Sequence, residues 1–215
     1  MRTVAQAVEE IIRRSPFLEE AISESVANNA KIARRIKPDV ESYLMEKVSE
    51  TAIAMALHRL TPAARRTPFG MRFLKKVRDI TVRSDLVEYV LPSGGDHGKL
   101  WDELSRIGKN RDAFINFSRG LQGSLLIVGG DVEAEIPRDL LRGRGIQRTG
   151  DLSAITMRLP KESLNVPGMY YPILKALALE GISFVEVMSI DTEFSILFKN
   201  ADVDRAFSVI KRITA

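Results

Sequence analysis

The chain has 215 residues, 45% of them apolar and 28% charged, with a net charge of +4, room for one large domain or roughly two to three small ones. No apolar run approaches the roughly 20 residues of a membrane span, and Met1–Ala5 lead into Glu9, Glu10, Arg13 and Arg14 rather than a signal-peptide core. The absence of cysteine excludes disulfides, thiolate zinc sites and a cysteine nucleophile, and it fits a cytoplasmic protein.

Residues 3–60 read as helical throughout. Val4, Ala5, Val8, Ile11 and Ile12 recur at helical spacing. Ser15-Pro16 ends that helix and starts a second, with Ser15 as cap. Asn28-Asn29 marks a further cap before Ile32, Ala33 and Ile36. Pro38 is expected to start another helix carrying Val40, Tyr43 and Leu44. Ser49 caps the last, with Ala52, Ile53, Ala56, Leu57 and Leu60. Residues 1–80 hold 15 Lys/Arg against 10 Asp/Glu, whereas 81–215 hold 17 against 18. The basic excess lies in the first part and points to a polyanion partner or to a solvated surface.

Ala30–Ile36 followed by Val48–Leu60 look like a helix-turn-helix, separated by an unusual eleven residues, Lys37–Lys47. On that reading Thr51, Met55 and His58 approach base edges of duplex DNA. Lys31, Arg34, Arg35, Arg59, Arg65 and Arg66 contact phosphates. The recognition face is poor in Arg, Asn and Gln, the usual base readers. The alternative is a helical bundle that packs on the rest of the protein or mediates dimers.

The stretch 61–78 contains Pro62, Pro68, Gly70 and a cluster of basic residues. It is the expected domain boundary. Beyond it, Ile80–Leu91 reads as extended and Leu100–Ile107 as an amphipathic helix. Ala113–Phe117 and Ser124–Val128 read as strands, followed by a helix within Val132–Leu141. The order then recurs: a strand over Leu152–Leu159, a helix over Pro167–Glu180 closed by Gly181, strands over Ile182–Ile190 and Phe194–Lys199, and a helix over Asp202–Ile213. That is a weak internal repeat.

The second copy carries Asn165-Val166-Pro167-Gly168, Ile173–Leu177, Gly181–Phe184, Val187–Ser189 and Glu193–Phe198. In these residues it resembles an ACT domain of the type that regulates aspartate kinase. The resemblance implies an α+β protein: a helical, winged-helix-like domain (1–64), a basic linker (65–79), and tandem ferredoxin-like βαββαβ units at 80–148 and 149–215. It also implies an amino-acid effector held where the loop meets a strand of a neighbouring copy. Asn165, Val166, Pro167, Gly168 and Met169 would form the loop side, and Met188, Ser189 and Ile190 the strand side. The unpaired amides and positive dipole at a helix start would favour the effector's carboxylate. The first copy has Pro92–Gly98 in place of that loop, with Asp96 and His97 as weaker contacts.

No Gly-x-Gly-x-x-Gly, Walker or Gly-x-Ser-x-Gly motif occurs. Only two histidines exist, His58 and His97, and they fall in different expected domains, which disfavours a metal site. The expectation is therefore a non-catalytic regulator without cofactor, a homodimer through its ACT units. It would control DNA binding or act as a free-standing subunit of an amino-acid biosynthetic enzyme.

Overall fold

The computed structural model describes residues 2–215 apart from 24, 65–70, 94–96, 110 and 111. The chain divides into two compact units, Met1–Arg72 and Phe73–Ala215.

The first unit holds α1 (Val4–Arg13), α2 (Pro16–Ser23), α3 (Asn29–Leu44) and α4 (Glu50–Ala64). Thr3 and Gln6 close a capping box on α1. Asn28 accepts the Lys31 amide at 3.0 Å, and Ser49 accepts the Ala52 amide at 3.2 Å. Ala7, Val8, Ile12, Ile22, Ile32, Ala33, Ile36, Val40, Val48, Ile53, Ala56 and Leu57 form one core. Pro38 does not start a new helix as its chemistry suggests; it lies inside α3. Ile32 and Ile36 before it and Val40 after it bury in the same cluster, so packing on the neighbouring helices outweighs the broken backbone bond. The connection to α4 therefore shrinks from eleven residues to the short turn 45–49, opened by Met45 in the left-handed region. Among the described residues this unit has no strand, so no wing accompanies its helices.

α5 (Met71–Leu74) leads into the second unit, and Phe73, Leu74 and Val77 already bury in its core. The rest of the unit is a β-sheet with helices. It contains β1 (Arg78–Pro92), α6 (Gly98–Gly108), β2 (Ile115–Arg119), β3 (Gly123–Gly129), α7 (Gly130–Glu133), β4 (Gln147–Arg158), α8 (Tyr171–Leu179), β5 (Glu186–Ile190), β6 (Glu193–Lys199) and α9 (Asn200–Thr214). The strands form one antiparallel sheet in the order β2-β3-β1-β4-β6-β5. Each half supplies βαββα, and the halves join through the long strands β1 and β4. The place of a fourth strand beside β4 is taken by Arg78–Arg83 of β1, and beside β1 by the start of β4.

The helices cover one face. Ile155, Met157, Phe194, Ile196 and Phe198 meet α8 and α9, while Val87, Tyr89, Leu91, Leu126 and Val128 meet α6 and α7. The other face carries a second buried cluster of Leu86, Ile127, Leu152, Ala154 and Leu197, packed by Phe114, Val185 and Met188. No helix of this unit packs on that cluster among the described residues. The sheet instead curls upon itself, and three bulges produce the curl. The β1–β4 register shifts at 78/81, 83/86 and 86/88. Asp79, Asp85 and Asp151, with φ of 53°, 57° and 59°, sit at these shifts. Aspartate tolerates this region, and an extra residue bends and twists the strand that carries it. No helix among the described residues is long and apolar enough to cross a membrane.

Candidate functional site

The loop 163–171 was expected to deliver a helix start at Pro167. The helix starts four residues later, at Tyr171. Gly168 takes φ +72°, which ends the turn that Pro167 opens and cannot belong to a right-handed helix. At the observed helix start two positions offer no free amide. Tyr171 N–H donates to Gly168 O at 3.1 Å, and Pro172 has no N–H. Asn165, Pro167 and Gly168 are exposed, Val166 is half-buried and Met169 is buried. A 200 Å³ hollow is lined by Val166, Gly168, Met169 and Tyr170 among others. Its Ser163 hydroxyl is already bonded to Pro160 O at 2.6 Å.

The expected strand residues divide between the two faces of the sheet. Ser189 lies on the helix side and bonds the Tyr170 hydroxyl at 2.9 Å, and Tyr170 stacks on Phe194 at 4.3 Å. The loop is thereby tied to β5, an edge strand of the sheet. Met188 and Ile190 point the other way, into a 340 Å³ trough on the helix-free face.

That trough has polar groups along its floor. Thr81, Thr156 and Ser195 are cross-strand partners, and the Thr156 and Ser195 hydroxyls bond at 2.7 Å. Phe114, Ile115, Met188 and Ile190 make apolar walls. Arg83 enters from β1 with its guanidinium 5.7 Å from the Phe114 ring centre, and Glu193 enters from β6. Arg83 pairs with Ala154 and Glu193 with Arg158, so their backbones are two strand spacings and four residues apart, about 16 Å. Sequence reasoning missed Arg83, Thr156, Ser195 and Glu193. One signal was present: Thr156 and Ser195 interrupt otherwise apolar strands at positions that share a face. The curl that brings Phe114 over them has no local signature.

Deeper on the same face, Glu88 is 5% exposed and its Oε2 has no hydrogen-bond partner among the described residues. Burial pushes its pKa up, and the charge of Glu186 adds to the effect. The curl thus lets two carboxylates from opposite halves of the sheet interact.

A further concavity of 510 Å³ lies on the helix side of the first half. Tyr89 O–H donates to Glu133, and Arg148 grips both Glu133 oxygens, at 2.7 and 2.9 Å. The Arg148 bonds hold Glu133 below the usual carboxylate range, while burial and Glu133 raise Tyr89.

In the helical unit Lys31, Arg34, Arg35, Thr51, Met55, His58 and Arg59 are all exposed. Arg34 sits 3.5 Å from Glu50. Arg65 and Arg66 lie outside the described residues, as does Asp96 of the first-copy loop. His97 is half-buried, and its Nε2 lies 3.4 Å from Pro92 O.

No family model and no curated protein matches the sequence. Solved structures do match the fold. Aspartate kinase of Clostridium acetobutylicum aligns with 65% of this chain at TM-score 0.51 and 11% identity. The ligand-free regulatory subunit of aspartate kinase from Thermus thermophilus aligns with 64% at TM-score 0.50 and 13% identity. The likeness lies in the fold, which this chain shares with the matched parts of these aspartate kinase structures. This chain covers 97% of that regulatory subunit but only 35% of the Clostridium kinase. It likewise covers 33% of E. coli aspartokinase III, a structure solved with aspartate and ADP, at TM-score 0.50 and 10% identity.

Proposed function

We propose that this chain is a non-catalytic regulatory protein that senses an amino acid in the trough of its curled sheet. One observation carries the reading. Arg83 and Glu193 put opposite charges at separate places in a space whose lining also holds Asp112 and Asn116, and neither Arg83 nor Glu193 has an ion-pair partner among the described residues. A guanidinium suits an effector's carboxylate and a carboxylate its ammonium group. Thr81, Thr156 and Ser195 supply hydrogen bonds between them. The trough is lined from both halves of the sheet, so a bound effector would favour one curvature over others. It can shift that equilibrium only by its differential affinity for the two states.

The loop Asn165–Met169 has its place at the contact between two copies. β5 is a free edge, with Val187 37% and Ile190 62% exposed, and the Tyr170–Ser189 bond holds the loop beside it. Edge pairing of β5 with a second copy would bury those side chains. Asn165, Val166, Pro167, Gly168 and Met169 would then bound any effector shared between copies.

A thermal-shift screen of the full chain against the twenty amino acids tests the sensor. Stabilisation by one amino acid, lost in Arg83→Gln and in Glu193→Gln, is expected. A flat response at millimolar ligand sinks the reading. For the edge contact, Ile190→Lys is expected to halve the mass measured by light scattering.

Duplex DNA binding by the helical unit has one observation in its favour, the exposure of Lys31, Arg34, Arg35, Thr51, Met55, His58 and Arg59. Against it, the unit Met1–Arg72 holds twelve Lys/Arg against nine Asp/Glu, and the excess of three, Arg65, Arg66 and Arg72, follows α4 in the chain, so residues 1–64 carry no net charge to draw a polyanion. Regulation of a separate enzyme through protein contact is therefore preferred. Salt-sensitive retention of duplex DNA by the full chain would reverse that preference.

A further inference from the structure

The concavity beside Tyr89 has a chemistry different from the trough. Arg148 comes from β4, and Arg138 and Arg142 from the connection after α7. All three line one space, whose only carboxylate among the described residues is Glu133. Glu133 is occupied by Arg148 and Tyr89, and it fixes the Arg148 guanidinium through two bonds. Arg138 and Arg142 have no ion-pair partner among the described residues. The lining therefore carries a net charge of two positive units, with one guanidinium already oriented. Ile136, Leu141 and Ile146 add apolar surface, and 510 Å³ exceeds what a bare inorganic anion fills.

We infer that this concavity binds a small organic dianion, a phosphate monoester or a dicarboxylate, whose charge is taken by Arg138 and Arg142 beside Arg148. Planar guanidinium groups match both anions through paired hydrogen bonds. Tyr89 and the apolar side chains would receive the organic body. Glu133 is a positioning residue: it orients Arg148 and does not itself favour the anion.

The test is binding to the full chain at low ionic strength, by calorimetry and thermal shift, with AMP, succinate and inorganic phosphate as probes. The expected result is saturable binding of AMP or succinate. It should weaken about tenfold or more in the double variant Arg138→Gln/Arg142→Gln, whose ligand-free melting temperature is unchanged. AMP and phosphate without succinate would mark a phosphate site, and succinate alone a carboxylate site. Arg83→Gln should bind these probes as the unaltered chain does, which separates this site from the trough. Absence of saturable binding by all three probes overturns the inference. So does equal binding by the Arg138→Gln/Arg142→Gln variant.

Discussion

Asn200 donates its side-chain N–H to the Asp151 carboxylate at 2.6 Å and thereby pins the bulge of β4 to the first residue of α9. Its other amide atom accepts the Ser153 hydroxyl at 2.5 Å, and Ser153 is 1% exposed. Removing the amide leaves a buried hydroxyl without its partner and frees a left-handed aspartate. Asn200→Ala should cost about 1–3 kcal/mol. Urea unfolding measures it; an unchanged midpoint would show that the bulge holds without this link.

The first half solves the same problem differently. Asp85 forms its bulge, and Gly130 stands at the start of α7, where the second half has Asn200. A Cβ added at Gly130 would lie 2.5 Å from Asp85 Oδ2. Gly130→Ala should therefore destabilise by about 1–3 kcal/mol. Asp85→Gly removes that carboxylate and suits φ 57°. The double variant should recover most of the loss, and strictly additive effects in the four-member cycle would disprove the coupling.

Glu88 predicts a pH dependence. Its folded pKa is raised above the unfolded value, first by burial and then by Glu186. The folded state therefore binds the proton more tightly than the unfolded chain. Stability from this group is full below the ordinary carboxylate pKa and is lost as pH rises through the folded pKa. Glu88→Gln keeps the shape and removes the charge, so it should be more stable than the unaltered chain at neutral pH. The gain should shrink as pH falls through the raised folded pKa and be gone below the ordinary carboxylate pKa. Denaturant titrations across that range decide it, and a gain independent of pH would assign the effect to packing.

Phe194 joins the loop to the core. It is fully buried and receives the Tyr170 ring. Phe194→Ala should cost about 3–5 kcal/mol. Tyr170→Phe keeps the stack and removes only the bond to Ser189, so its effect should stay near 1 kcal/mol. A larger loss in Tyr170→Phe would mean that the hydroxyl, rather than the stack, seats the loop.

The amino-acid sequence by itself determined the helical start and the order of elements in the two halves, because these rest on local periodicity, caps and turns. Val87, Tyr89 and Leu91 alternate against Leu86 and Glu88, and that alternation already assigns their faces. The helix expected within Val132–Leu141 is only α7, Gly130–Glu133, and the strand expected from Ile182 begins at Glu186; two other local readings failed for a tertiary reason. Pro38 stays inside α3 because Ile36 and Val40 pack on either side of it. Gly168 at φ +72° delays α8 to Tyr171. The sites lay further from view. Asn165–Met169 and Met188–Ile190 were legible as a loop and a strand. Which of them share a surface depends on the Tyr170–Ser189 bond and on the pleat, which turns Met188 and Ile190 away from Ser189. Only the tertiary structure put Arg83 and Glu193 around one trough and Arg142 with Arg148 around one concavity. Both sites depend on strands distant in the chain, brought together by the pairing of β1 with β4 and bent by aspartates whose left-handed backbone is fixed only in the finished sheet.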